Sequence, residues 1–357
     1  MTFSIDMGSG KPTSIQDLVP ANSTTDLASS IAATSPLKYV FSVSNDANGV
    51  NAYSVGSNGT LTLVSGSPFP LPSVLDGWPY IGALAINPTN SSLYAVDSGW
   101  DLLAEFQIDS TTGALTASPT GFYPLQSAVA APQTEVVAPS GQFLYTTDYY
   151  TGTFDSSANE YAGISAFSVN SSGSLSLIPG SPFLLPTGSQ PQQVVMTPSG
   201  DFVYAALFNS SSTAGFSVNS ETGVLTPIAG SPFDNGSSSF TEASSLAMHP
   251  SGKFLYAFNL NGHNISAFAI DSSSGVLTPI AGSPFAGQNS IYYQNGTVAT
   301  QGPIAIDPSG SFLYVVCFDE ELAIYRIDQS TGALSVAGGS PVAIPKALLS
   351  VTVGQAP

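Results

Sequence analysis

The sequence predicts an all-β chain folded as a seven-bladed β-propeller of four-stranded antiparallel blades. Three observations carry this expectation. A Leu-Tyr-type pair inside a short apolar run recurs six times, with tyrosines at 39, 94, 145, 204, 256 and 314. Each repeat contains four short segments that alternate with period two, with no sustained helical period. The two ends carry complementary parts of one further repeat. A unit of 50–60 residues with four strands reads as a propeller blade, whereas leucine-rich solenoids have shorter periods.

The strands of a unit are here lettered A to D. Strand A is a short apolar segment, as in Ala83-Leu84-Ala85-Ile86, Ser245-Leu246-Ala247-Met248 and Pro303-Ile304-Ala305-Ile306. A turn follows, Pro-Ser-Gly at 139–141, 198–200, 250–252 and 308–310, with altered versions at Ser35-Pro36 and at Asn87-Pro88-Thr89-Asn90. Proline presets the first turn dihedral and glycine takes the positive φ. Strand B holds the tyrosine. Strand C alternates, as in Ile164-Ser165-Ala166-Phe167-Ser168-Val169 and Ile265-Ser266-Ala267-Phe268-Ala269-Ile270. A hairpin such as Thr222-Gly223 or Ser274-Gly275 leads into strand D, and the unit closes on Ser-Pro-Phe at 67–69, 181–183, 231–233 and 283–285, or on Ser340-Pro341-Val342.

The ends predict closure of one domain spanning 1–357. Thr2-Phe3-Ser4-Ile5-Asp6 reads as a strand C, Ser9 to Ile15 as a hairpin and strand D, and Ala28 to Ala33 as the next strand A. Ala347 to Val353 is placed like a strand A, so 1–20 and 343–357 are expected to share the closing blade. That blade has no evident strand B. Three explanations stand open. The blade has three strands, or Leu348–Val353 serves as B with Val342–Ile344 as a stub of A, or another chain donates the strand to an open edge.

Composition limits the partners. Only 8% of residues are charged, against roughly 25% in an average soluble domain. There are 23 acidic and 5 basic residues, a net charge of −18. Phosphate neutralisation needs clustered Lys and Arg, so nucleic acid is excluded as a partner, and an anionic membrane surface is disfavoured. The 43% hydrophobic content excludes disorder. No apolar run reaches the roughly 20 residues of a membrane-spanning helix, so no membrane insertion is expected. The one cysteine, Cys317, excludes an intrachain disulfide and any multi-cysteine metal site, and its apolar neighbours predict a buried thiol. The start, Met1 to Asp6, has neither basic nor apolar leader, so any export signal is expected to lie outside this chain.

Candidate chemistry is sparse. The insertions at 70–81, 146–162, 234–242 and 286–301 fall on B–C or D–A connections, hence on one rim. With Trp100-Asp101 they predict a ligand-binding rim of Trp78, Trp100, Asp101, Tyr149, Tyr150, Tyr292 and Tyr293, suited to carbohydrate or protein contact. The acidic run Asp319-Glu320-Glu321 is expected on a B–C loop, where it reads as a solvated loop or as the single candidate for Ca²⁺; otherwise no cofactor is expected. His249 precedes a turn proline and His263 sits in a polar loop. Neither has metal-ligand spacing. Asn-x-Ser/Thr sequons at Asn22, Asn58, Asn90, Asn170, Asn209, Asn235, Asn264 and Asn295 are glycosylation candidates.

At the Pro-Ser-Gly-x-Phe-Leu-Tyr-Val strands and the Gly-x-Leu-Thr-Pro…Ser-Pro-Phe hairpins, the chain resembles the lactonase-like seven-bladed propellers, including 6-phosphogluconolactonase and YVTN-repeat surface types. The resemblance covers nearly the whole chain, through motifs of the blade scaffold. It implies hydrolysis of sugar lactones, some phosphorylated. A phosphosugar site wants converging Arg or Lys. The chain offers Lys11, Lys38, Lys253, Arg326 and Lys346, with Arg326 expected in a strand C and Lys253 in an A–B turn, and no catalytic residue carries over from the family. The leading expectation is therefore a non-catalytic, extracellular or cell-surface structural or adhesive propeller, self-assembling into an oligomer or filament by strand donation. The alternatives are a lactonase-like or cyclase-like hydrolase on an unphosphorylated substrate, and a carbohydrate-binding propeller.

Overall fold

The computed structural model describes residues 2–5, 8, 12–16, 28–44, 49–71, 81–89, 91–99, 101–125, 132–151, 161–236, 242–260, 262–287, 304–317 and 321–343. Among them every regular element is a β-strand. The strands form six blades and one separate hairpin, Thr2–Ile5 with Pro12–Gln16. Strands A, B and C are Ala28–Ala33, Tyr39–Ser44 and Gly49–Val55 in blade one, and Ile81–Ile86, Ser92–Asp97 and Leu102–Ile108 in blade two. They are Pro132–Val137, Phe143–Thr151 and Tyr161–Val169 in blade three, and Pro191–Met196, Phe202–Leu207 and Ser212–Val218 in blade four. Blade five has Ala243–Met248, Phe254–Asn259 and Asn264–Ile270, and blade six Ile304–Ile306, Phe312–Cys317 and Glu321–Ile327.

Pairing within each blade is antiparallel in the order A-B-C-D. Successive strands A touch one another from blade one to blade six, so they line the axis. One rim therefore carries the D–A and B–C connections. The opposite rim carries the A–B turns and the C–D hairpins.

The landmark tyrosines sit in strand B, almost fully buried, and five of them tie adjacent blades. Tyr39, Tyr94, Tyr145, Tyr204 and Tyr256 each donate a hydroxyl hydrogen bond to a C–D hairpin carbonyl of the following blade, on Thr111, Gly173, Gly223, Gly275 and Gly332 at 2.6–3.0 Å. The hairpin glycine is required by contact as well as by backbone. A Cβ on Gly332, whose φ is +72°, would lie 2.6 Å from Phe254 and Ile280 of blade five. Burial pushes the hydroxyls of Tyr94, Tyr145, Tyr204 and Tyr256 up in pKa, that of Tyr94 to about 12.

The Ser-Pro-Phe motif acquires a physical reason. Strand D is broken in five blades into pieces such as Leu225–Pro227 and Phe233–Asp234. Opposite the break, strand C keeps a backbone N–H with no D partner. The motif serine accepts it. Ser67, Ser181, Ser231, Ser283 and Ser340 Oγ take the N–H groups of Ala52, Ala166, Gly215, Ala267 and Ile324 at 2.7–2.9 Å. Each Ser-Pro bond is cis. Blade two lacks the motif and has one continuous strand D, Leu115–Pro124.

Three expectations are modified. The insertion at 146–162 is in part strand, because Thr151 pairs with Tyr161 in a lengthened B–C hairpin. Val342–Ala343 pairs with strand C of blade six, so it is no stub of a further strand A, and Ala343 belongs to blade six rather than to the closing segment. The described residues hold six blades where seven were expected; Leu348–Val353 lies outside them.

Candidate functional site

The five A–B turns of blades two to six align strand A from blade to blade. Counting back three residues from the residue before the turn gives Leu84, Glu135, Val194, Leu246 and Ile304. Leu84, Leu246 and Val194 pack against the preceding blade. Glu135 occupies the same slot with a carboxyl group. It is 9% exposed, and neither carboxyl oxygen has a hydrogen-bond partner. Its own backbone N–H acts to lower the pKa. Burial dominates and holds the group well above the ordinary carboxylate range.

Register carries this face across blade three. Glu135 pairs with Thr146, Thr146 pairs with Ser165, and Asp148 lies two residues beyond Thr146, on the same side. Leu144, on this side too, packs with Tyr94, Val96 and Leu103 of blade two. The acidic side chains thus face the blade-two/blade-three junction, beneath the D–A and B–C rim. Asp148 is 1% exposed. Ser165 Oγ donates to its Oδ2 at 2.5 Å, and Oδ1 has no partner. Burial pushes its pKa up to about 8; the Ser165 hydrogen bond opposes this and the negative charge of Asp101 adds to it.

Blade five is the comparison within the molecule. There Asn259 stands at the Asp148 position and Ser266 at that of Ser165. Asn259 is fully satisfied: its Nδ2 donates to Asn264 Oδ1 and Ser266 Oγ, both at 2.7 Å, and its Oδ1 accepts from Asn235 Nδ2 at 3.0 Å. Asn235 is the last residue of the preceding blade's D segment, where its N–H bonds to Ser211 O. The equivalent residue before blade three is Leu125, whose N–H bonds to Asp101 O. Leucine has no donor for Asp148. The orphan oxygen accompanies that exchange and a second one across the B–C pair, where Gly163 stands in place of Asn264.

Of the predicted rim, Asp101 lies in the blade-two B–C turn at φ +54°, and Tyr149 is half-buried in strand B of blade three. Trp78, Trp100, Tyr292 and Tyr293, and the side chain of Tyr150, lie outside the described residues. So do Asp319 and Glu320. Glu321 is corrected from loop to strand, paired with Cys317 and Ala343. Among the described residues no group of three His, Cys, Asp or Glu is placed to hold a metal. His249 is a turn cap: Nδ1 accepts the N–H of Ser251 at 3.1 Å, and Nε2 lies 3.0 Å from Gly310 O in blade six. Of the sequons, Asn58, Asn170 and Asn209 are exposed and Asn264 is partly buried in strand C. Asn235 is buried at 1% exposure, with both amide atoms engaged. Asn22, Asn90 and Asn295 lie outside the described residues.

Three of the Lys and Arg residues are described, and all lie toward the other rim. Lys38 Nζ donates to Ser110 O and lies 5.1 Å from the Tyr39 ring, Arg326 stacks 4.8 Å from the Phe312 ring, and Lys253 sits in an A–B turn. Lys11 and Lys346 lie outside the described residues.

A ring of four-stranded blades with buried acids at one rim defines an all-β propeller. The model of the family "Lactonase, 7-bladed beta-propeller" matches residues 134–239 and 234–349, more than half of the chain, and the chain belongs to that family. A "Probable 6-phosphogluconolactonase" of Arthroderma benhamiae is 24% identical over 273 residues, which span 71% of this chain and 65% of that protein. Among solved structures, the periplasmic gluconolactonase PpgL of Pseudomonas aeruginosa matches with a TM-score of 0.70 at 18% identity, covering 96% of this chain and 94% of that one. A "putative 6-phosphogluconolactonase" of Bacteroides fragilis matches at 0.74 and 19% identity, covering 98% and 91%. At such identity these structures establish the fold. The expectation of a non-catalytic structural or adhesive propeller is overturned, since the relatives are lactonases and the family is named for that activity.

Proposed function

We propose that the chain is a lactone hydrolase acting on an unphosphorylated sugar lactone at the blade-two/blade-three junction. The observation that carries this is the pair of buried carboxyl groups, Glu135 and Asp148, left without partners beneath the D–A and B–C rim. Leaving such groups unsatisfied costs about 1–3 kcal/mol each, a cost that selection for stability alone would remove. Ester cleavage needs a group that moves a proton near neutral pH, and a carboxyl raised by burial has that property. The substrate class follows from charge. The three described Lys and Arg residues lie toward the opposite rim, whereas a phosphate group wants Arg or Lys beside it. The full chain, assayed on glucono-δ-lactone and on its 6-phosphate with spontaneous hydrolysis subtracted, is expected to favour the unphosphorylated lactone at least tenfold in kcat/KM. The reverse preference removes the substrate assignment, and no turnover of either removes the reading.

The same reading includes a closed ring of seven four-stranded blades. Support comes from an equivalence. In blade two Gln107, next to last in strand C, donates to Ser172 O in the hairpin of blade three at 3.0 Å. In blade six Arg326 holds that place and donates to Gly8 O, in the turn of the N-terminal hairpin. That hairpin therefore stands to blade six as blade three's hairpin stands to blade two. Removal of residues 1–16 is expected to lower the unfolding midpoint and to broaden the transition; an unchanged transition would count against closure.

A further inference from the structure

We propose that Asp148 is the proton-transferring group of the site, and that Leu125 is the positioning residue that keeps it available by withholding the amide its blade-five counterpart receives. The proposal rests on the lactonase reading for its substrate but not for its geometry. Asp148 is held from one side only: Ser165 Oγ fixes Oδ2, and Oδ1 is left open. In blade five the same backbone position is closed on every side, by Asn235, Asn264 and Ser266. The two blades share strand, register and burial; around this position they differ in the residue contributed by the preceding blade, Leu125 or Asn235, and in the strand C residue opposite, Gly163 or Asn264. The groups around Asp148 are Asp101 from blade two, Glu135 from strand A, and Ser165 from strand C; Asp97 ends strand B of blade two. None is basic, so nothing among them fixes the carboxylate as a permanent ion pair.

In the reaction, the Asp148 carboxylate takes a proton from water as the water oxygen adds to the lactone carbonyl carbon. The tetrahedral adduct then collapses, and the bond between that carbon and the ring oxygen breaks. Asp148 returns the proton to the departing oxygen. One water is consumed, and one hydroxy acid forms. A base of this kind contributes about 10²–10⁴-fold.

The test uses the full chain and glucono-δ-lactone. Wild-type kcat/KM is expected to rise with pH through a midpoint near pH 8 and to level off above it. Asp148→Asn should lose about 100-fold or more in a folded protein. Leu125→Asn is the sharper variant, because it supplies Asp148 with the donor that Asn259 has. Its pH–rate midpoint should fall by more than one pH unit, its plateau should drop at least tenfold, and the protonated-carboxyl infrared band present in wild type at pH 7 should weaken. Asn235→Leu, the mirror change in blade five, should lower stability and leave turnover unchanged. An unshifted profile and an unchanged band in Leu125→Asn overturn the role of Leu125. Full activity in Asp148→Asn overturns that of Asp148. If wild type does not cleave the lactone, the lactonase reading fails, and the infrared comparison still decides the geometry.

Discussion

Replacing Glu135 with leucine should make the protein more stable. The equivalent slot in four other blades holds Leu84, Val194, Leu246 and Ile304, so the backbone and its surroundings suit a branched aliphatic side chain. Leucine and glutamate have similar volume, which limits overpacking. Removing a buried carboxyl with no partner recovers about 1–3 kcal/mol. Replacing it with apolar surface adds about 1 kcal/mol. With 357 residues the unfolding entropy is roughly 0.75 kcal/mol per kelvin, so ~2–4 kcal/mol raises Tm by about 3–5 °C. The sign with pH follows from linkage. The folded Glu135 keeps its proton to a pH well above the unfolded value of 4.5, so the native state binds more protons than the unfolded state between those limits. Wild-type stability is present in full below pH 4.5 and is lost as pH rises toward the folded pKa. The advantage of Glu135→Leu should therefore widen from pH 4 to pH 8. Thermal unfolding followed by circular dichroism at several pH values measures this. A Tm equal to or below wild type at pH 8 would refute the argument, because it would mean that the carboxyl group makes stabilising contacts.

Other consequences follow from the blade contacts. Tyr256→Phe removes the hydrogen bond to Gly332 O and should cost about 0.5–1.5 kcal/mol in urea unfolding, with turnover unchanged. Ser231→Ala leaves the Gly215 N–H without its acceptor and should cost about 1–3 kcal/mol by the same measurement. Gly332→Ala forces a Cβ to within 2.6 Å of Phe254 and Ile280 at a left-handed backbone position, and should cost more than either. Asp148→Asn should flatten the fall in stability between about pH 4 and pH 8, because its folded pKa of about 8 makes native Asp148 hold a proton that the unfolded chain releases.

The repeat made the scaffold legible. Tyrosine spacing, the Pro-Ser-Gly turns and Ser-Pro-Phe each mark a contact repeated in most of the described blades: a hydroxyl to the next hairpin, a turn between A and B, and an acceptor for strand C. A contact repeated from blade to blade leaves a recurring signal. The site is the opposite case, because it consists of departures from the repeat. Glu135 in place of Leu or Val was visible once strand A was aligned on the turn. Asp148, three residues after Tyr145, was equally visible beside Asn259 after Tyr256. Neither is an exposed aromatic or part of a known enzyme motif, so neither stands out from composition or motif alone. Leu125 was not legible at all, since a leucine matters there only against the asparagine of another blade, and that equivalence requires the backbone pairing.

The two rims divide stability from chemistry. At the rim of A–B turns and C–D hairpins, local acceptors satisfy the backbone. Hydroxyl groups of Ser273 and Ser330 donate to Asp271 and Asp328, and Asp109, Asp271 and Asp328 each accept two N–H groups from their own hairpin; these bonds hold the carboxyls below the ordinary range, that of Asp328 at about 2. Glycines supply the left-handed positions, and five tyrosines tie blade to blade. At the other rim the pattern reverses. All five described non-glycine residues with positive φ, Asp101, Gln190, Ser211, Glu242 and His263, lie on its connections. The orphan oxygens of Glu135 and Asp148 face the junction below it. Strain and unsatisfied polar groups each cost free energy, and a fold keeps them where they serve a site. Because the tying contacts are on the far rim, a variant that repairs one of these defects should gain stability without altering ring geometry. That is why Glu135→Leu and Leu125→Asn can separate the stability of this propeller from its chemistry.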